Sequence, residues 1–354
     1  MTNTNFPVNH PLAVKLWSRK LFQETMKQCW ISKFLGKDSN ALVQILDDTQ
    51  KGPGDQITIG LRMLLNGDGV QGDGSLEGQE ESLTTYHFSI VIDQLRHAVR
   101  SAGKMSEQRV PFSLREEARQ GLQDWWSDRL DTSFFNQLCG FTAQKDTRYT
   151  GNQPTLEADE KHILRPENIK EDEGLKSENV FTLEMIDKAV ERAKTLTPMI
   201  RPLRLNGENK YVMFLHPYQV TSLRSHTHKG QWLDIQKAAL SGGKISDNPI
   251  YTGALGEYNG VILHEAPRIT RGVNSKSNNA VENVRRAVLC GAQSLVMAFG
   301  QNYGENKVSW IEESFDYDNQ LGVSAGMIFG LKKTKVNDKD FATIIVPTYA
   351  KSSL

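Results

Sequence analysis

"ITIGLRMLLNGDGVQGDGSLEGQEESLTTYHFSIVI", residues 57–92, contains two β-strand patterns separated by a long polar loop. Residues 55–65 alternate apolar and polar positions, as a strand with one buried face does. Residues 83–95 are rich in β-branched and aromatic residues, which favour a second strand. The loop between them is far longer than the ~2–5 residues of most hairpin loops. The sequence therefore predicts a β-hairpin with an overgrown tip, whose faces cannot be buried by the hairpin alone.

The loop has G-x-G-x-x-G spacing at Gly67, Gly69 and Gly72, which also occurs in dinucleotide-binding loops. A dinucleotide site needs a helix that begins at the loop, so that its N–H groups face the pyrophosphate. Here a strand follows instead, and the loop carries five carboxylates that would repel a phosphate: Asp68, Asp73, Glu77, Glu80 and Glu81. The nucleotide interpretation is rejected. The loop also fails the EF-hand pattern, since Val70 and Gly72 occupy ligand positions, and a non-standard calcium site stays open.

A long helix is predicted after the hairpin. Ser113 and Glu116 have the spacing of a capping box, which marks a helix start. Apolar residues then recur at helical intervals from Leu114 to Leu138, and Gly140 ends the pattern. At 1.5 Å per residue this helix is about 40 Å long, which is longer than a helix that only covers a sheet. We call it the spine helix.

Residues 11–35 are predicted to form an amphipathic N-terminal helix that begins at Pro11 and ends before Gly36. Its apolar stripe includes Trp17, Leu21, Trp30 and Phe34. The residues that follow are polar and rich in turn formers, so the stripe has nothing local to pack on. Two interpretations stay open: an arm that docks on another copy of the chain, or an ordinary first helix of the core.

The rest of the chain mixes short elements. Residues 141–180 show little periodicity and are predicted to be a long loop or insertion, and a helix is predicted at 182–196. Short strands and helices alternate from residue 211 to about residue 300, and strands return at the end. This order predicts an α+β fold in which strands from the two ends of the chain share a sheet.

Composition limits the classes of function. Lys plus Arg and Asp plus Glu both number 42, so no net charge draws the chain to nucleic acid or to a membrane. Three scattered cysteines without a C-x-x-C motif indicate a reducing, cytosolic folding compartment. The sequence shows neither the pattern of a signal peptide nor that of a membrane span.

The sequence contains no P-loop, G-x-S-x-G or H-E-x-x-H motif. His226 and His228 are two positions apart without an evident third metal ligand. Glu312 and Glu313 fall in a strand pattern, which directs them to opposite faces. We therefore predict no catalytic residue, no cofactor and no metal. The elements that are predicted to extend from the subunit, above all the hairpin, favour self-assembly.

The order of elements resembles the HK97-type capsid fold, and several segments resemble the major capsid proteins of N4-like tailed phages. These segments are residues 54–131, "YTGALGEYNGVILHEAP" (251–267), "RRAVLCGAQSLVMAFGQ" (285–301) and "DFATIIVPTYAKSS" (340–353). The resemblance covers most of residues 50–350. It implies four parts: an N-terminal arm (1–50), an extended hairpin or E-loop (51–98), a peripheral domain with the spine helix (99–205 and 301–354) and an axial domain (206–300).

The resemblance implies a structural virion protein without catalytic residues. Such a protein assembles in the host cytoplasm, as pentamers and hexamers, into an icosahedral shell around double-stranded DNA that it does not read. Portal, scaffold and cement or decoration proteins are further expected partners, and a membrane is not. Some relatives cross-link through a hairpin lysine, but no lysine lies between Lys51 and Lys104, so a non-covalent shell is expected. An encapsulin-like compartment shell and a soluble hydrolase or carbohydrate-binding protein are the alternatives.

Contacts between subunits are expected at two places. The loop carboxylates have no basic residue among them, so a surface that covers them should be basic. The nearest basic cluster flanks the spine helix: Arg100, Lys104, Arg109, Arg115 and Arg119. We predict that the hairpin tip of one subunit contacts this cluster on the next. We also predict that the arm, through Trp17, Leu21, Trp30 and Phe34, packs on another copy or under its hairpin.

Overall fold

The computed structural model describes residues 11–46, 56–62, 69–72, 74–78, 80, 85–111, 113–205, 207–226, 250, 253–300 and 307–352, with the backbone alone at 11–19, 59–62 and 85–87. Its α-helices are α1 (Pro11–Gln28), α2 (Lys104–Gln108), α3 (Leu114–Leu138), α4 (Leu183–Thr195) and α5 (Pro217–His226). Its strands are β1 (Leu35–Gly36), β2 (Val43–Leu46), β3 (Gln56–Arg62), β4 (Thr85–Val91), β5 (Asp93–Arg100), β6 (Leu203–Leu205), β7 (Glu208–Leu215), β8 (Ala254–Tyr258), β9 (Val261–Glu265), β10 (Arg271–Val273), β11 (Ala280–Cys290), β12 (Leu295–Phe299), β13 (Val308–Phe315), β14 (Gln320–Lys333), β15 (Lys335–Val336), β16 (Lys339–Asp340) and β17 (Thr343–Tyr349).

The spine helix α3 is confirmed, together with its buried face. The apolar residues buried along it follow helical spacing: Ala118, Leu122, Trp126, Leu130, Phe134 and Leu138. Trp126 meets Phe329 of β14 edge to face, with 6.1 Å between ring centres. The capping box does not form, because the Ser113 side chain makes no cap hydrogen bond. The Glu116 N–H instead donates to the Ser113 carbonyl at 3.1 Å.

The first sheet joins strands from both ends of the chain, as predicted. Its order is β1-β2-β12-β14-β13, and β5 also pairs with β14. Strands β12 and β13 both pair antiparallel with the long β14, β12 over residues 329–333 and β13 over 320–327. The apolar residues of this sheet share one core with α1 and α3.

The second sheet has the order β10-β11-β7-β9-β8, with β17 on β11 and β6 on β7. Helix α4, which was predicted at residues 182–196, packs on this sheet with Ile186, Val190 and Ala193 buried. Strand pairing crosses the boundaries of the predicted domain ranges, which themselves stay a prediction. Strand β17 joins the sheet formed mainly by residues 203–290, and β12 joins the first sheet. The cause is long-range pairing, which local sequence patterns do not encode.

The hairpin forms between β3 and β4, which pair antiparallel from Gln56↔Val91 to Arg62↔Thr85. The prediction of one continuous strand over residues 83–95 is wrong. The chain leaves the hairpin after Val91, and β5 pairs with β14 from Asp93↔Phe329 onward. The hairpin and the first sheet are therefore linked by a single residue.

Candidate functional site

The hairpin is anchored at its root and exposed at its tip. Phe88 and Ile90 are buried, and Phe88 packs with Val296 of β12. Lys332 donates to the Ser89 carbonyl at 2.7 Å, and its ammonium lies 4.9 Å from the Phe88 ring centre. The residues described between 69 and 80 are all exposed except one, which is half-buried. The root of the hairpin is therefore packed on the subunit body, whereas most of its described tip is uncovered.

Two of the five loop carboxylates, Glu77 and Glu80, fall within the described residues, and both are exposed. Glu80 Oε2 accepts a hydrogen bond from the Gly78 N–H at 2.8 Å, and the Glu77 N–H donates to Ser75 Oγ at 3.3 Å. Neither carboxylate forms an ion pair with any residue that the structure describes. Asp68, Asp73 and Glu81 lie outside the described residues. The described tip thus carries negative charge without a counter-ion from the described residues of its own subunit.

Arg115 forms an ion pair inside its own subunit, and its contact with a neighbour stays a prediction. It binds both carboxylate oxygens of Glu312 in β13, with Nε at 2.8 Å from Oε1. The Glu312 side chain is only 3 % exposed and also accepts from Trp310 Nε1 at 2.8 Å. The pair ties the first turn of the spine helix to the first sheet. Glu313, the next residue, is exposed, so the two glutamates point to opposite faces as predicted.

Three more members of the basic cluster also contact their own chain. Arg119 pairs with Glu24 of α1, Lys104 Nζ lies 3.4 Å from Asp318 Oδ2, and the Arg100 guanidinium lies 4.1 Å from the Phe315 ring centre. Arg109 is exposed, and it has no ion pair or ring contact within the described part of the chain. The cluster is therefore not one free basic surface, and Arg109 is the member for which the described residues show no ion pair or ring contact.

Buried side chains of the described part of the N-terminal arm lie in the core of their own subunit. Leu21 is 0 % exposed and Phe34 2 % exposed, both within the core that contains α3. Trp30 is half-buried and lies 5.4 Å from Phe135 and 5.5 Å from Phe214, measured between ring centres. Leu21 and Phe34 are covered by their own spine helix and sheets, and Trp30 is covered in part, whereas packing of the arm on another copy stays a prediction. The Trp17 side chain lies outside what the structure describes.

A buried carboxylate holds the end of the arm on the spine helix. Asp131 of α3 accepts the N–H of Trp30 at 3.1 Å and that of Ile31 at 3.2 Å. Arg268 donates to the same carboxylate at 3.0 Å. These bonds fix the 3₁₀ turn Trp30–Phe34, which replaces the last part of the predicted helix 11–35.

The segment 141–180, predicted to be a loop or insertion, is tied to the body by a buried ion network that sequence reasoning missed. Asp172 is 1 % exposed and accepts from Arg165 Nε and from Arg286 Nε, both at 2.8 Å, and from the Val273 N–H at 3.1 Å. Burial acts to raise the pKa of Asp172, but Arg286 and Arg165 outweigh it and hold that pKa below its usual value. Arg286, itself 1 % exposed, also donates to the Gly140 carbonyl at 3.0 Å. The sequence signal was weak: Arg286 lies in a strand that also carries the exposed or half-buried charges Glu282 and Arg285, so nothing in the sequence marks Arg286 as the buried one.

The described residues offer no arrangement for metal or nucleophilic chemistry. No group of three or more His, Cys, Asp or Glu among them could hold a metal ion. The three cysteines are buried, and burial raises the pKa of the Cys29 thiol to about 12, so it stays protonated and unreactive. Burial also lowers the pKa of His264 to about 3 and, with Arg285, that of His216 to about 4. Of the described helices, none is long and apolar enough to cross a membrane.

The arrangement of arm, projecting hairpin, spine helix and two sheets is the HK97-type capsid fold. The capsid of Ralstonia phage GP4 matches it with a TM-score of 0.82 and 29% sequence identity, over 92% of each chain. The capsid of cyanophage Pam1 matches with a TM-score of 0.68 over 92% of this chain and 93% of its own, and at 19% identity it supports the fold alone.

Sequence comparison assigns the family. Residues 5–352 match the model of the phage capsid protein family. The major capsid protein of Pseudomonas phage KPP25 is 28% identical over 94% of this chain and 93% of its own length. The chain therefore belongs to the phage capsid protein family, and the predicted fold and resemblance to phage capsid proteins are confirmed.

Proposed function

We propose that this chain is the major capsid protein of a tailed phage, and that its copies form the pentamers and hexamers of an icosahedral shell around double-stranded DNA. One observation carries the proposal. The hairpin β3–β4 is anchored by Phe88 and Ile90 at its root, while its described tip is exposed. A two-stranded ribbon is marginal in water unless another surface covers it. A neighbouring copy supplies that surface, and membership in the phage capsid family favours a phage shell over a compartment shell or a soluble enzyme.

The role is structural rather than catalytic. A shell protein with 42 basic and 42 acidic residues has no net charge and can enclose DNA without binding it strongly. The hairpin lacks a lysine between Lys51 and Lys104, so the shell is held without cross-links from this element. Assembly in the host cytoplasm, together with scaffold, portal and cement or decoration proteins, follows from the same proposal.

The acidic hairpin tip is proposed to meet Arg109 of a neighbouring subunit. Glu77 and Glu80 carry exposed negative charge, and Arg109 is an exposed cation beside the spine helix. Each exposed pair contributes only about 0–1 kcal/mol. The contact repeats in every subunit, so a small contribution affects the whole shell. High salt should weaken it, because the screening length falls to about 3 Å at 1 M.

Electron microscopy of the purified protein tests the proposal directly, since closed shells are expected. Deletion of residues 67–78 tests the hairpin. That variant should keep the circular dichroism and melting temperature of the subunit, because Phe88 and Ile90 still anchor the root, and it should form no stable shells. A length-matched control in which glycine and serine replace residues 67–78 separates loss of side chains from shortening. Normal shells from both variants would refute the role of the hairpin, whereas a wild-type chain that stays monomeric would refute the proposed function.

A further inference from the structure

The turn that joins β13 to β14 has an unusual backbone. Asp316, Tyr317 and Asp318 have φ values of 53°, 50° and 69°, three consecutive non-glycine residues in the left-handed region. Asp tolerates this region because its short polar side chain can bond locally, whereas an aromatic residue has no such compensation. Tyr317 is also fully exposed, with a relative accessibility of 105%. The backbone at Tyr317 is therefore strained, and the subunit gains no free energy from burial of the aromatic ring.

The turn is rigidly supported. Asn319 Nδ2 donates to Asp316 Oδ2 at 3.0 Å, and Asn319 Oδ1 accepts the Lys104 N–H at 3.3 Å. Lys104 Nζ lies 3.4 Å from Asp318 Oδ2, and Gln320 Nε2 donates to the Ala102 carbonyl at 3.3 Å. These bonds hold the backbone of the turn on the segment that leads into α2. A turn whose backbone is already ordered loses less conformational entropy when it binds a partner.

A second exposed apolar side chain belongs to the same region. Met105 follows Lys104 in α2 and is 65% exposed. Methionine adapts its shape to a partner surface, and tyrosine is enriched among the residues that contribute most to protein interfaces. Around them stand charged groups, Asp316, Asp318 and Lys104, which form a polar rim.

We propose that the Tyr317 turn, residues 316–318 together with Met105, is a contact surface for a second copy of this chain, with Tyr317 as its anchor. The inference rests on the proposed function, because a shell of many copies brings a second copy to each subunit. Backbone strain at a functional surface is offset by the contacts that the surface forms when a partner binds to it. Burial of the ring and of Met105 against a neighbour supplies that compensation, which the isolated subunit lacks.

Two substitutions test the proposal because they move subunit stability and assembly in opposite directions. Tyr317→Asn and Tyr317→Gly both relieve the left-handed strain, so the melting temperature of the unassembled subunit should stay level or rise. The subunit concentration for half-maximal assembly, followed by light scattering, should increase about tenfold, the effect of removing one interface anchor. Tyr317→Phe keeps the ring and should assemble like the wild type.

Asp338→Gly is the matched control. Asp338 is exposed and has a φ of 61° in the turn between β15 and β16, without an exposed aromatic residue beside it. It should leave assembly unchanged. The proposal is overturned if Tyr317→Asn and Tyr317→Gly assemble at the wild-type concentration, or if they lower the subunit melting temperature as much as they impair assembly. A wild-type chain that forms no shells would refute the proposed function instead, so the two failures are distinguishable.

Discussion

Replacement of Asp172 by Asn should destabilise the subunit strongly, although the residue lies in a segment without regular secondary structure. The substitution keeps the volume and one oxygen that can accept the Val273 N–H. It removes the negative charge that lies 2.7 Å from Arg286 Nη2 and 2.8 Å from Arg165 Nε. Arg286 is 1% exposed, and its other carboxylate partner, Glu157, is 3.5 Å away and 53% exposed. An almost uncompensated charge would therefore remain buried.

The expected loss is about 3–5 kcal/mol, the range for removing one partner of a buried ion pair. An unfolding entropy of ~2.1 cal/mol/K per residue over 354 residues gives roughly 0.7 kcal/mol/K, so the melting temperature should fall by about 4–7 °C.

Calorimetry or circular dichroism of the unassembled subunit measures this loss. Asp128→Asn is the matched control, because Asp128 pairs with Arg268 at 2.6 Å but is 62% exposed. Its loss should stay within about 1 kcal/mol. Equal, small losses for the two variants would show that the buried network does not hold segment 141–180 in place.

Arg115→Glu should lower the melting temperature of the isolated subunit, because it places a carboxylate against buried Glu312, whereas Arg109→Glu should leave that temperature unchanged and impair assembly alone. Glu77→Arg should partly restore assembly of Arg109→Glu, and failure to do so with salt-indifferent shells would exclude the charge contact. Acid should destabilise the subunit: His264 and His216 have pKa values of about 3 and about 4 in the fold, below the 6.5 of an ordinary histidine, so the unfolded state binds more protons as the pH falls below 6.5. Each histidine should cost about 1.4 kcal/mol per pH unit over that window, and urea titrations that give equal free energies of unfolding at pH 6.5 and pH 5 would contradict it.

Local periodicity in the sequence was sufficient to predict the helices and strands that pack through one continuous face. The buried residues of α3 and of α4 recur at helical intervals, and β3 and β4 carry strand patterns on either side of a polar loop. The shared sheet was predicted in outline only, because two of its strands, β1 and β2, lie in a stretch whose sequence looks polar and rich in turn formers. The break after Val91 could not be predicted in this way. Residues 83–95 have one uniform strand composition, and the change of partner from β3 to β14 depends on residues more than 200 positions later.

Polar contacts were beyond prediction for a different reason. The apolar stripe of the arm allowed two interpretations. In the structure its described buried residues lie in the core of the same subunit, where Asp131 binds the backbone of Trp30 and Ile31 from a position 100 residues away. Asp172 and Arg286 are 114 residues apart in sequence and look like ordinary surface charges there. Only the fold shows that they are buried together, and therefore that segment 141–180 is part of the body.

The same limit applies to charge complementarity as a guide to assembly. A sequence with an acidic loop and a basic cluster suggests that the two meet, but it does not show whether each charge is already used within its own subunit. Arg115 and Arg119 bind Glu312 and Glu24 in the folded subunit, so reversal of their charges would damage the subunit before any shell forms. Residues that the folded subunit leaves exposed are the informative ones. Arg109 carries a charge, and Tyr317 carries an aromatic ring on a strained backbone. No described residue of the same subunit covers either side chain. Substitutions at these two positions can therefore change assembly while the subunit stays folded.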